Sequence, residues 1–296
     1  MKMEHDIRTL THGDETERIY AAQDLGDTGS PQAAAALVRR LPHEPSQAVR
    51  DAIVFALKTL PGVGIIEDIR LLFHSPDPYL RNAAIDIIGA QGGAAVPALT
   101  RQIDSEDPEV RKLILDALFA TGAPEAVAAI RSRLDDPAIN VRITAVEYLG
   151  RFEDHQSLDA IIPIFYSGTE PMLRMAALNT MAALSTTIET AQKVLDGLPP
   201  AHDLARHHPT LRPQIIRLVA QAGDPDRLAR TIEAIDPPDP YDEDIVHAIE
   251  SVGDSLPVLS AHPAIRRIIA DIETGSPDPT LRALCRTLLS DGADHS

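Results

Sequence analysis

Residues 77–93 read DPYLRNAAIDIIGAQGG, and residues 107–123 read DPEVRKLILDALFATGA. In both, an acid and a proline precede an aliphatic–arginine pair and then an amphipathic run. Asp accepts hydrogen bonds from the orphan amides of a first helical turn, and Pro at the next position loses nothing by lacking an N–H. Each segment therefore opens a helix. Glu170-Pro-Met-Leu-Arg174 and Asp278-Pro-Thr-Leu-Arg282 follow the same scheme, and His208-Pro209-Thr-Leu-Arg212 is a variant. Asp14, Ser46 and Asp136 serve less regular copies.

The arginines carry the period. Arg18, Arg50, Arg81, Arg111, Arg142, Arg174 and Arg212 are separated by 32, 31, 30, 31, 32 and 38 residues, and Arg282 closes the series. The third and seventh residues after each arginine are apolar or small: Ile53 and Leu57, Ala84 and Ile88, Ile114 and Leu118, Ala145 and Leu149, Ala177 and Met181. That i, i+4 spacing predicts one buried helix face. Gly26, Gly89 and Gly150 stand one residue later and are expected at helix ends in left-handed geometry. A second helical pattern precedes each capping segment, as in PQAAAALVRRL from Pro31 and PEAVAAIRSRL from Pro124. A helix pair cannot bury its apolar face alone, so such pairs must stack.

The expected fold is all-α: a right-handed α-solenoid of about nine stacked antiparallel helix pairs, forming one domain over 1–296. Three departures are foreseen: an insertion at 199–209, a degenerate unit at 236–254 in which Ile245 replaces the arginine, and a frayed tail at 291–296. The stretch 5–10 reads as a helix too short for a full first helix, either a cap or one whose partner is supplied by oligomerisation.

The recurring D-P-x-[VL]-R-x-x-A-x-x-x-[LI]-G pattern resembles the HEAT-repeat family, and is most similar to the short bacterial repeats of the bilin-lyase type. The resemblance covers the chain from about Asp14 onward. It implies a structural role first for Arg50, Arg81, Arg111, Arg142, Arg174, Arg212 and Arg282, tying successive repeats together through the helix-opening acids. It also implies a second functional reading, a bilin-lyase-like or other cofactor-protein maturation factor. Related iron-holding hydroxylases use several His-Glu pairs. Here His43-Glu44 is a single one, too few for a two-metal site.

The 296-residue chain carries 27 basic against 44 acidic residues, a net charge of −17. A nucleic-acid binder needs a basic stripe to displace counterions, so nucleic acid is not expected as a partner. No run approaches the ~20 apolar residues of a membrane span, and no membrane association is expected. The start MKMEHDIRTL lacks the apolar core of a signal peptide. The single cysteine, Cys285, permits no intrachain disulfide, which fits a cytoplasmic setting.

The fifth residue after each arginine is mostly polar between apolar columns: Gln23, Phe55, Asp86, Asp116, Glu147 and Asn179, then Arg217 and Glu250. Asp51, Asn82 and Lys112 lie one turn earlier on the same face, and Tyr148 and Tyr20 beside it. Stacking would set these in rows along a concave face and offer a groove to a partner protein of basic or mixed charge. The competing reading is a solvated helix face. The expected function is thus a non-catalytic scaffold for protein–protein interaction, with no catalytic, metal or cofactor residues. Self-association stays open. His202, Asp203, His207 and His208 in the insertion match no zinc-site spacing and read as a lengthened surface connection. Residues 236–244, DPPDPYDED, read as a stiff acidic turn.

Overall fold

The computed structural model describes residues 2–60, 63–167, 170–235, 241–253 and 257–291. Among them there is no strand, and the chain is an all-α solenoid of helix pairs. It divides into two compact blocks, 1–148 and 149–296.

The first block holds α1 (Lys2–His12), α2 (Glu15–Asp27), α3 (Pro31–Arg40), α4 (Gln47–Thr59), α5 (Val63–Ile69), α6 (Pro78–Gly89), α7 (Val96–Thr100), α8 (Pro108–Ala120), α9 (Ala126–Arg131) and most of α10 (Ile139–Arg151). The second continues with α11 (Leu158–Ser167), α12 (Pro171–Leu184), α13 (Ile188–Asp196), α14 (Ala201–His207), α15 (Arg212–Gln221), α16 (Pro225–Glu233), α17 (Asp242–Gly253), α18 (Pro257–Ala261), α19 (Pro263–Gly275) and α20 (Pro279–Asp291).

Each block has two layers. In the first, α2, α4, α6 and α8 pack in succession, with α1, α3 and α5 in the other layer. In the second, α12, α15, α17 and α20 form one row, and α14, α16 and α19 the other. The capping chemistry read from the sequence starts these helices. The carboxylates of Asp77, Asp107 and Asp278 accept from the amides two residues on, and Asp14 forms a capping box with Glu17. The predicted i, i+4 pairs are all buried, from Ile53 and Leu57 through Ala177 and Met181.

The glycine expectation is corrected. Gly26 and Gly89 have ordinary helical backbone, and their role is clearance. A Cβ on Gly26 would lie 2.8 Å from Ala56 Cβ, and one on Gly89 2.7 Å from Ala120 Cβ. The left-handed position is three residues further along, eleven after the arginine. Gly29, Gly92, Gly122 and Gly223 have φ between 57° and 71°, and Glu153 occupies the equivalent place at φ 54°.

Two other expectations change. α1 spans Lys2–His12 and packs on α2 through buried Leu10, so the first pair is complete. The 199–209 insertion is largely a helix, α14, packed on α15 and α16 with Ala201, Leu204 and Ala205 buried; apolar spacing within the insertion outweighed its prolines. Residues 236–240 of the acidic turn, 254–256 and 292–296 lie outside the described residues.

Candidate functional site

The arginines come first, because they fix how neighbouring pairs meet. Several reach back to a carbonyl six residues earlier, in the turn that opens their own helix: Arg81 Nη1 to Ser75 O at 2.7 Å, Arg111 Nη1 to Ser105 O at 2.7 Å, and Arg282 Nη1 to Ser276 O at 2.9 Å. Arg50 Nε donates likewise to Glu44 O at 2.5 Å, and Arg142 Nε to Leu134 O, eight residues earlier, at 3.2 Å. Three also reach forward to an acid of the following pair. Arg18 donates to both oxygens of Glu44 at 3.1 Å, and Arg50 Nη1 to Asp77 at 2.9 Å. Arg111 grips both oxygens of Asp136 at 2.7 and 2.8 Å.

Glu44 and Asp136 are the buried ends of these ties. Glu44 also accepts from Arg40 and from the amide of Ser46. Burial alone would raise its pKa, but the Ser46 amide, Arg40 and Arg18 outweigh it and hold the carboxylate below its ordinary value. Asp136 is likewise lowered: burial opposes, while Arg111 and the Ala138 amide prevail. His43-Glu44 is thus half of an arginine clamp.

The face foreseen from the sequence lies on the row of second helices. Gln23, Asp51, Phe55, Asn82, Asp86, Glu147 and Asn179 are exposed, and Lys112, Asp116 and Tyr148 are half-buried. The structure gathers part of this set and leaves the rest open. Asp116 accepts from Lys112 Nζ at 2.9 Å and from the Tyr148 hydroxyl at 2.7 Å, and the Tyr148 ring stacks on Phe119 at 4.3 Å. Asp51 accepts from the Tyr79 hydroxyl at 2.8 Å. Burial, then the Asp51 carboxylate, raises the Tyr79 pKa. Gln23, Asn82, Asp86 and Glu147 make no side-chain hydrogen bond among the described residues. Phe55 and Tyr20 expose 67% and 64% of their surface, so neither belongs to the core. In the second block, Asn179 lines a cavity of about 540 Å3 with Gln214, Arg217, Asp244 and His247.

Tyr79 and Tyr241 were not singled out in the sequence. Each follows an Asp-Pro pair and lies 29 residues after an arginine whose guanidinium sits over its ring, Arg50 at 5.6 Å and Arg212 at 5.1 Å. The repeated D-P-Y triplet was the available signal. The insertion's His202, Asp203 and His207 are exposed, and His208 is half-buried. Burial, then the charges of Arg174 and His207, lowers the His208 pKa. Cys285 is buried, and burial followed by Glu273 and Asp242 raises its thiol. No single described helix is long and apolar enough to cross a membrane.

Stacked helix pairs with this internal clamp define an α-solenoid repeat protein. Its sequence matches the HEAT repeats family over residues 66–139 and 127–207, so this stretch carries HEAT-like repeats. No curated protein sequence matches it at significant similarity. Among solved structures it resembles yeast importin-β Kap95p, alone (12% identity, TM-score 0.61) and bound to RanGDP (13%, 0.64). Each of these alignments covers 99% of this chain and 46% of Kap95p. An engineered protein is similar at 17% identity and TM-score 0.51, over 99% of this chain and 89% of that one. At these identities the likeness concerns the fold.

Proposed function

We propose that this protein is a non-catalytic scaffold that binds a partner protein through the second-helix face of residues 1–148. The observation that carries the reading is the pairing of two exposed aromatics, Phe55 and Tyr20, with exposed carboxylates that have no ion-pair partner among the described residues, Asp86 and Glu147. Large exposed aromatics amid polar residues act as anchors at protein interfaces, where a few residues dominate affinity. The surrounding carboxylates favour a partner of basic or mixed charge and speed its encounter. Lys112, Asp116 and Tyr148 form the pre-organised edge of the face, since their hydrogen bonds fix the rotamers before binding. The helix-opening acids and the arginines, on this reading, keep the rows in register.

The test is affinity capture from the source organism's lysate, comparing wild type with the Phe55→Ala, Asp86→Lys, Glu147→Lys triple variant. Asp116 is left intact because its loss would release Tyr148. A protein retained by the wild type and lost by the variant, with helical circular dichroism unchanged, is the expected result. Identical retention by both would sink this face.

A further inference from the structure

A second surface, independent of that face, lies on the other helix layer of residues 1–148. Helices α1 and α3, with the turn after α3, border a cavity of about 210 Å3. Ile7, Leu10 and Ala36 give it an apolar side, and Arg39, Arg40 and His43 a basic one. Among the described residues no acid lines it.

The basic side is unusual for this chain. Acids outnumber Lys and Arg by 44 to 27 overall, yet residues 28–43 contain none. Arg40 Nε and Nη2 both donate to Glu44 Oε2, at 2.9 and 2.6 Å, and Arg18 holds the same carboxylate. The Glu44 side chain is fully buried and that of Arg40 is 18% exposed. The clamp therefore fixes the Arg40 guanidinium, whose Nη1 makes no bond among the described residues. Arg39 and His43 are exposed, and neither side chain has a partner among the described residues.

The charges define the class of ligand. Arg18 and Arg40 against the one carboxylate of Glu44 leave one positive charge, and Arg39 makes two. The carbonyl end of α3 offsets about half a charge. On the adjoining helices, Glu4 and Arg8 are opposite charges one turn apart, and Asp14 and Glu17 are engaged in their own capping box. The remaining field favours a compact dianion. The volume is below the ~300–1,000 Å3 of pockets for larger organic ligands, so it suits one tetrahedral oxyanion with its water. Guanidinium forks match the oxygens of such a group.

We propose that this cavity binds a single dianionic phosphate group, held by Arg39 and by the free Nη1 of the clamped Arg40. The group arrives either as inorganic phosphate or on a phosphorylated side chain of a partner, and the experiment separates these sources. The isotope-labelled full chain is titrated at constant ionic strength and mildly alkaline pH, where a phosphate monoester is doubly charged. The probes are inorganic phosphate and a short phosphoserine peptide, with chloride and the unphosphorylated peptide as controls. Amide and arginine Nε–H resonances are followed. Saturable shifts confined to residues 7–11 and 36–43 are expected. Arg39→Ala, at an exposed helical position that spares the fold, should weaken binding by about tenfold, the scale of a charge-assisted hydrogen bond. Tighter binding of the phosphopeptide assigns the group to a partner, and tighter binding of inorganic phosphate to the free ion. Shifts that do not saturate, that chloride reproduces, or that Arg39→Ala leaves unchanged would each overturn the proposal.

Discussion

The same repeat position is solved differently in the two blocks. In residues 1–148, Arg18, Arg50 and Arg111 each bond an acid of the following helix pair, Arg50 while also lying over the Tyr79 ring, and Arg81 and Arg142 bind backbone carbonyls. In residues 149–296, Arg174 and Arg212 sit against aromatic rings, Phe165 at 4.7 Å and Tyr241 at 5.1 Å, and Arg282 binds backbone carbonyls only. Among the described residues of the second block, none of these three is paired with an acid. The repeat sequence therefore sets where a guanidinium enters each turn, while the groups that packing brings beside it decide whether it makes an ion pair, a ring contact or a carbonyl bond.

The comparison is broken most directly at Asp136. Its side chain is fully buried and that of Arg111 is 9% exposed, so Asp136→Ala strands a buried cation. The expected loss is about 3–5 kcal/mol, read by urea denaturation. Asp77→Asn, which keeps a capping oxygen for the Tyr79 amide but removes the partly exposed charge paired with Arg50, should cost less than about 1 kcal/mol. Equal losses in the two variants would mean that burial of the tie is not what matters.

Acid should separate the blocks next. Glu44 and Asp136 have folded-state pKa values below their ordinary ones. Their contribution is therefore complete above the ordinary carboxylate range and is lost as pH falls through the lowered values. Asp244 in the second block has the opposite sign: burial, then Glu243, raises its pKa, so folding there gains as pH falls through that raised value. Hydrogen exchange by mass spectrometry at neutral and acid pH, corrected for intrinsic rates, should show protection lost first from residues 1–148. Earlier loss in residues 149–296 would contradict this account.

Packing between pairs offers a smaller effect. Gly89→Ala places a methyl group 2.7 Å from Ala120 Cβ and should cost about 1–3 kcal/mol by overpacking, measured as a lowered denaturation midpoint. Smallest is Glu153→Gly. Glu153 holds the left-handed position that Gly29, Gly92, Gly122 and Gly223 hold elsewhere, and relieving it should stabilise the second block by up to about 1 kcal/mol. A lowered melting temperature in this variant would show that the glutamate side chain contributes more than its backbone costs.

The sequence by itself determined the helix pairs, their caps and their buried columns. These depend on neighbours within a few positions: Asp before Pro makes a cap, and i, i+4 apolar spacing makes a face, wherever the chain goes next. It also placed the arginines at the turns. Only the tertiary structure decided what each arginine meets, because Glu44 and Asp136 reach their partners from 26 and 25 residues away and no local rule says which acid will be within reach. The same holds for Gly26 and Gly89, whose need for a missing Cβ arises from a helix in the next pair. The cavity between α1 and α3 was illegible for that reason too. Its walls come from helices that the sequence separates and packing brings together.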